Sequence, residues 1–104
     1  SPDIEACAVI SEDSLIIASA LPQHVQELRM AGICATMLNL GSRAARELER
    51  GALQQVLIRG GNGYVVMMTA SAGSMLIAMT TASAKLGLVF LDMTQAIEEI
   101  GKIL

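Results

Sequence analysis

Met30-Ala31-Gly32-Ile33-Cys34-Ala35-Thr36-Met37-Leu38-Asn39-Leu40 is apolar around most of a helical circumference, broken chiefly by Thr36 and Asn39. It lies in a proline-free run from about Gln23 to Glu49, where apolar residues recur with a period near that of an α-helix. One stripe runs Met30, Ile33, Met37, Leu40, Ala44 and Leu48. A second runs Leu28, Ala31, Ala35, Leu38 and Ala45. An ordinary surface helix needs only one such stripe. This helix should therefore be covered twice, once by its own sheet and once by a second body. Ala31, Gly32, Ala35 and Thr36 are small enough to let another helix come close. An interior glycine costs roughly 1 kcal/mol relative to alanine, which close packing at Gly32 would offset. The expected pairing face is Leu28, Ala31, Gly32, Ala35, Leu38 and Ala45. Beyond Leu40 the helix turns charged, and Gly51 supplies a stop.

On the N-terminal side, Leu21-Pro22 marks the change into the helix, since proline pushes its predecessor to extended geometry. Before it, Ile4–Ile10 and the run resuming at Leu15 flank the polar turn Ser11-Glu12-Asp13-Ser14 and read as a hairpin. On the C-terminal side, Leu53–Arg59 reads as a strand that turns at Gly60-Gly61-Asn62-Gly63 into Tyr64–Ala70. Ser71-Ala72-Gly73 turns again into Ser74–Thr81. From about Leu86 to Leu104 the helical period returns, with Val89, Met93, Ala96, Ile97, Ile100 and Leu104 on one face. The order β-β-α-β-β-β-α predicts an α+β domain: a five-stranded antiparallel sheet, the long helix on one face and the C-terminal helix on the other. No linker or repeat divides residues 1–104, so one domain is expected.

Composition narrows the function. Hydrophobic residues make up 53% of the 104 and charged residues 16%, so the chain has ample material for a core and some to spare for an interface. The net charge is −3, the basic residues are scattered, and there is no Trp, one Phe and one Tyr. That excludes the basic, aromatic-lined surface of a nucleic-acid binder. No apolar run reaches the length of a membrane span, and no signal-peptide pattern precedes Ile4. Cys7 and Cys34 sit in apolar stretches and do not make a disulfide framework, which points to a reducing, cytoplasmic setting.

The residues that could carry chemistry have simpler readings. His24, the sole histidine, has no carboxylate or nucleophile near it in sequence and reads as a surface residue at the helix start. The two cysteines lack the short paired spacing of zinc or redox motifs. Gly60-Gly61-Asn62-Gly63 is followed by a strand, whereas a phosphate-binding loop needs Lys-Ser or Lys-Thr and a helix. Asp92, Glu98 and Glu99 read as a solvated helix face, and the seven methionines as core filling. No active site, cofactor or metal is expected, and the sequence speaks against an enzyme.

Several short words resemble the prokaryotic roadblock (dynein light chain) domains. These are Leu15-Ile16-Ile17-Ala18-Ser19-Ala20-Leu21-Pro22, Gln55-Val56-Leu57-Ile58, Gly63-Tyr64-Val65-Val66 and Ala84-Lys85-Leu86-Gly87-Leu88. The resemblance extends from about Ile4 to Leu104. It implies a homodimer or heterodimer in which the long helices pair and a central strand of each partner joins the two sheets, here through Gln55 and Leu57. It further implies a non-catalytic module that binds or regulates a small Ras-like GTPase. The alternatives are a light-chain-type structural adaptor without a GTPase, and a small-molecule sensor whose sheet cups a ligand. The family usually opens with a helix before its first strand. Here only Ser1-Pro2-Asp3 precede Ile4: either that helix lies outside this sequence or the chain is a reduced member of the family, and loss of the helix would leave apolar sheet surface open.

Overall fold

Two strands that are apolar at nearly every position must be covered on both faces. β4 (Gly63–Thr69) and β5 (Met75–Thr80) are such strands, and they lie at the interior of a five-stranded antiparallel sheet. The computed structural model describes residues 3–11, 13, 16–23, 25–70 and 73–103. Its remaining elements are β1 (Ile4–Ile10), β2 (Ile16–Ala20), α1 (Glu27–Glu47), β3 (Gln55–Gly60) and α2 (Leu86–Ile103). The strand order is β2-β1-β5-β4-β3. α1 therefore carries the chain from one edge of the sheet to the other. The expected α+β arrangement is the observed one, with a helix on each face.

The α1 face is packed by Ala8, Ile10, Met67, Met75 and Ile77 from the sheet against Met30, Ala31 and Cys34. On the opposite face, Val66, Met68, Leu76 and Ala78 meet Val89 and Met93 of α2. Neighbours along β4 and β5 alternate between these two clusters, as the two-residue period of a strand requires. Gly41 marks where α1 comes down on the start of β3. A Cβ there would stand 3.2 Å from Val56 and 3.3 Å from Leu53.

α1 begins without a side-chain cap on Gln26, although Glu27 places an acid in the first turn, where the helix dipole favours it. Ser19 Oγ donates to Glu27 Oε1 at 2.7 Å, tying the end of β2 to the helix start. The helix stops earlier than Gly51 suggested. Glu49 takes the left-handed conformation, with φ +56. Its N–H donates to Arg46 O at 3.1 Å, and the Arg50 N–H donates to Ala45 O at 2.6 Å. This paired bonding closes the last turn as a Schellman motif, with a glutamate where glycine is usual. Of the residues in the expected elements and sites, Glu12, Ser14, Leu15, His24, Ser71, Ala72 and Leu104 lie outside the described residues.

Candidate interaction surface

Among the described residues, β3 is an edge strand whose outer side pairs with no other strand of the sheet. Its register against β4 is unbroken, from Gln55↔Met68 to Gly60↔Gly63. Val56 and Ile58 turn to the α1 cluster, while Leu57, opposite Val66, lies on the α2 face and is 45% exposed. The opposite edge is different. β2 is shorter, and its pairing with β1 shifts register between Val9 and Ile10. Regular, apolar edges are templates for another strand, and irregular ones are not.

α1 supplies the second part of the surface. Leu28 (89% exposed), Ile33 (56%), Leu40 (60%) and Leu48 (67%) all stand out from it. Gly32 and Thr36 are exposed beside them, and a Cβ at Gly32 would meet nothing within 4 Å. The expected pairing residues therefore divide. Leu28 and Gly32 face outward, and Ala35 and Ala45 are half-buried. Ala31 is 3% exposed and belongs to the core, and Leu38 packs against that core. Gln55 and Leu57 are exposed on β3. The sheet contacts α1 along a line between the two apolar stripes, through Met30, Ala31, Cys34, Leu38 and Gly41, so each stripe has inward and outward members. Ile33 and Leu40 are the outward residues that choosing one whole stripe passed over. The signal for them was Cys34, an apolar residue in neither stripe that marks the buried line between them.

Between α1 and the sheet runs an open, mainly apolar groove of about 380 Å³, with walls that include Arg29, Ile33, Cys34, Val65, Ile77 and Met79. Burial pushes the Cys34 thiol above its ordinary value of 9.0, which keeps it protonated and a poor nucleophile. Cys7 is half-buried and unpaired with Cys34. Among the described residues, no group of three or more His, Cys, Asp or Glu comes together to hold a metal ion. His24 falls outside them. Glu99 accepts from Lys102 Nζ at 3.2 Å, and both are largely exposed, as a solvated helix face requires. Asp92 is half-buried. No helix among the described residues is long and apolar enough to cross a membrane.

The described residues thus place an open strand edge beside an outward apolar helix face. The chain belongs to the Roadblock/LC7 domain family, whose model matches residues 1–80. It is 33% identical over 97 residues to the uncharacterized protein MJ1340 of Methanocaldococcus jannaschii, covering 93% of this chain and 84% of that one. In structure it is similar to a Roadblock/LC7 domain from Streptomyces avermitilis, with a TM-score of 0.90, 17% identity and coverage of 98% and 86% of the two chains. It is equally similar to Myxococcus xanthus MglB, with a TM-score of 0.90, 19% identity and coverage of 96% and 82%. The gliding protein MglB of Thermus thermophilus follows at 0.82, with 17% identity and coverage of 96% and 77%. These likenesses show a shared fold.

Proposed function

We propose that residues 1–104 act as one cytoplasmic, non-catalytic roadblock domain that forms a homodimer and binds or regulates a small Ras-like GTPase. The observation that carries the dimer is the pairing of two unsatisfied features in one protomer. These are the regular β3 edge and the outward side of α1, from Leu28 through Ile33 to Leu40. Large apolar side chains left in water at this density mark an interface. Covering one of them fully is worth about 1.5–3 kcal/mol. The pairing face is accordingly drawn through Leu28, Gly32, Ile33, Thr36 and Leu40 on the helix and Gln55 and Leu57 on the strand. Ala31 and Leu38 support it from beneath, and Ala35 and Ala45 lie at its margin.

The GTPase is supported by family membership and by the fold shared with MglB, an analogy between folds rather than a reading of a site. The test is binding and nucleotide turnover with Ras-like GTPases from the same genome. Binding of at least one, with changed nucleotide exchange or hydrolysis, is the expected result. No binding and no kinetic effect across the set would leave the light-chain-type adaptor, in which the same dimer holds a protein that is not a GTPase.

A further inference from the structure

We infer that the groove between α1 and the sheet binds a small amphipathic monoanion, a medium-chain carboxylate whose tail lies on the sheet and whose head is held by Arg29. The inference goes beyond the homodimer and GTPase reading and does not rest on it, because every wall of the groove belongs to one protomer.

The walls suit an apolar tail. α1 contributes Met30, Ile33 and Cys34, and the floor is Val65 of β4 with Ile77 and Met79 of β5. Met67 and Ile77, paired across the two strands, are each 1% exposed. Val65 and Met79, the next pair on the same face, are only half-buried. The floor is thus packed at one end and open at the other. A volume of about 380 Å³ lies toward the lower end of the roughly 300–1,000 Å³ of small-molecule sites, which favours a medium chain over a long one. Met30 and Met79 are flexible and polarisable, so they can close around tails of differing shape.

The polar groups gather in one place. Gln26 and Arg29 are neighbours one turn apart on α1, and no Asp or Glu among the described residues lines the groove. The other arginines of α1 are engaged within the chain: Arg43 Nε donates to Glu47 and Arg46 Nε to Ser42 O. Arg59 lies over the Tyr64 ring. Arg29 is exposed and has no such partner among the described residues. Gln26 does not use its side chain to cap the helix, and the adjacent acid, Glu27, accepts from Ser19 Oγ. One fixed positive charge balances one negative charge, and the planar guanidinium matches a carboxylate through two parallel N–H···O bonds. Charge and volume together select the ligand.

A second copy of the chain is the competing occupant, since Ile33 belongs both to the groove and to the pairing face proposed above. That face, drawn through Leu28, Gly32, Ile33, Thr36 and Leu40, carries no acid to meet Arg29. A copy seated in the groove would leave the guanidinium covered and unpaired, which is costly.

The test is a titration of methyl-labelled protein with decanoate, held below its micelle concentration and followed by NMR, with decanol as the uncharged control. Saturable binding of one decanoate per chain is expected, with shifts at Val65, Ile77 and Met79 and none at Val66 and Leu76 on the opposite face of the sheet. Arg29→Gln alters an exposed side chain, so the fold should persist by circular dichroism. It should weaken decanoate by about fivefold or more and leave decanol unchanged. Met79→Trp fills the floor and should abolish binding of both. Shifts that never saturate, or that appear equally on both faces of the sheet, overturn the site. Decanoate binding that is indifferent to Arg29→Gln overturns the assigned head group. A wild-type dimer that refuses decanoate while a monomeric Leu40→Arg variant takes it identifies the second copy as the occupant and overturns the inference. A monomeric wild type that binds decanoate as expected overturns the homodimer and leaves this inference standing.

Discussion

At the scale of single residues, the structure assigns costs to side chains that composition leaves anonymous. Glu49 holds a left-handed backbone at the end of α1, which costs a non-glycine residue roughly 1–2 kcal/mol. Glycine removes that strain but loses more entropy on folding, so Glu49→Gly should raise stability by up to about 1 kcal/mol in denaturant titration. A loss would mean that the glutamate side chain contributes something that outweighs the strain. Gly63 is the opposite case. A Cβ there would run into the backbone oxygen of Thr80, at a φ of +148. Gly63→Ala should therefore be among the most damaging alanine substitutions, by more than about 2 kcal/mol. Cys34 adds a pH dependence. Its folded value is raised by burial, so the unfolded chain releases the proton first as pH climbs. Stability is intact below the ordinary value of 9.0 and declines above it. Stability measured from pH 7 to pH 10 should fall less steeply in Cys34→Ala than in the wild type at the alkaline end.

At the scale of elements, α1 decides between the face expected from the sequence and the face the structure exposes. Leu40→Arg alters an outward side chain and should spare the protomer's melting behaviour while weakening the dimer by about tenfold or more. Leu38→Arg forces a charge against the core cluster and should lose about 3 kcal/mol or more of protomer stability. If Leu38→Arg instead folds normally and alone disrupts association, the face drawn through Ile33 and Leu40 is incorrect. The sheet and both helices were legible because period, turn residues and length agree: Gly60–Gly63 closes the β3–β4 turn, and β5 follows the turn at Gly73. Strand limits moved by a residue or two, with β3 starting at Gln55 rather than Leu53. The helix end moved because its cap is a backbone conformation of Glu49, which no residue preference foretells. The exposed face of α1 was half legible. Two stripes show how much of the α1 circumference is apolar, but not that the sheet sits between them and draws from both.

At the scale of the whole molecule, the proposed homodimer would cover what one protomer leaves open. The protomer's two core clusters cover the central strands on both faces, while one edge and the outward side of a helix remain for a partner. In the homodimer proposed above, buried apolar side chains rather than charge would set the strength of association. Arg43 Nε donates to Glu47 Oε1 at 3.0 Å on the outer surface of α1, but both are largely exposed, and such pairs are worth about 0.5 kcal/mol or less. Salt up to roughly 0.5 M should consequently leave the dimer constant within a few-fold, since exposed charges are already screened over about 8 Å at physiological ionic strength. The most direct test of the central claim is the solution mass by light scattering across a dilution series. A mass that holds at about twice the 10.9 kDa chain and falls only at high dilution is the predicted result. A mass of one chain at every concentration would contradict it, leaving the β3 edge and the outward leucines of α1 without the partner that this account gives them.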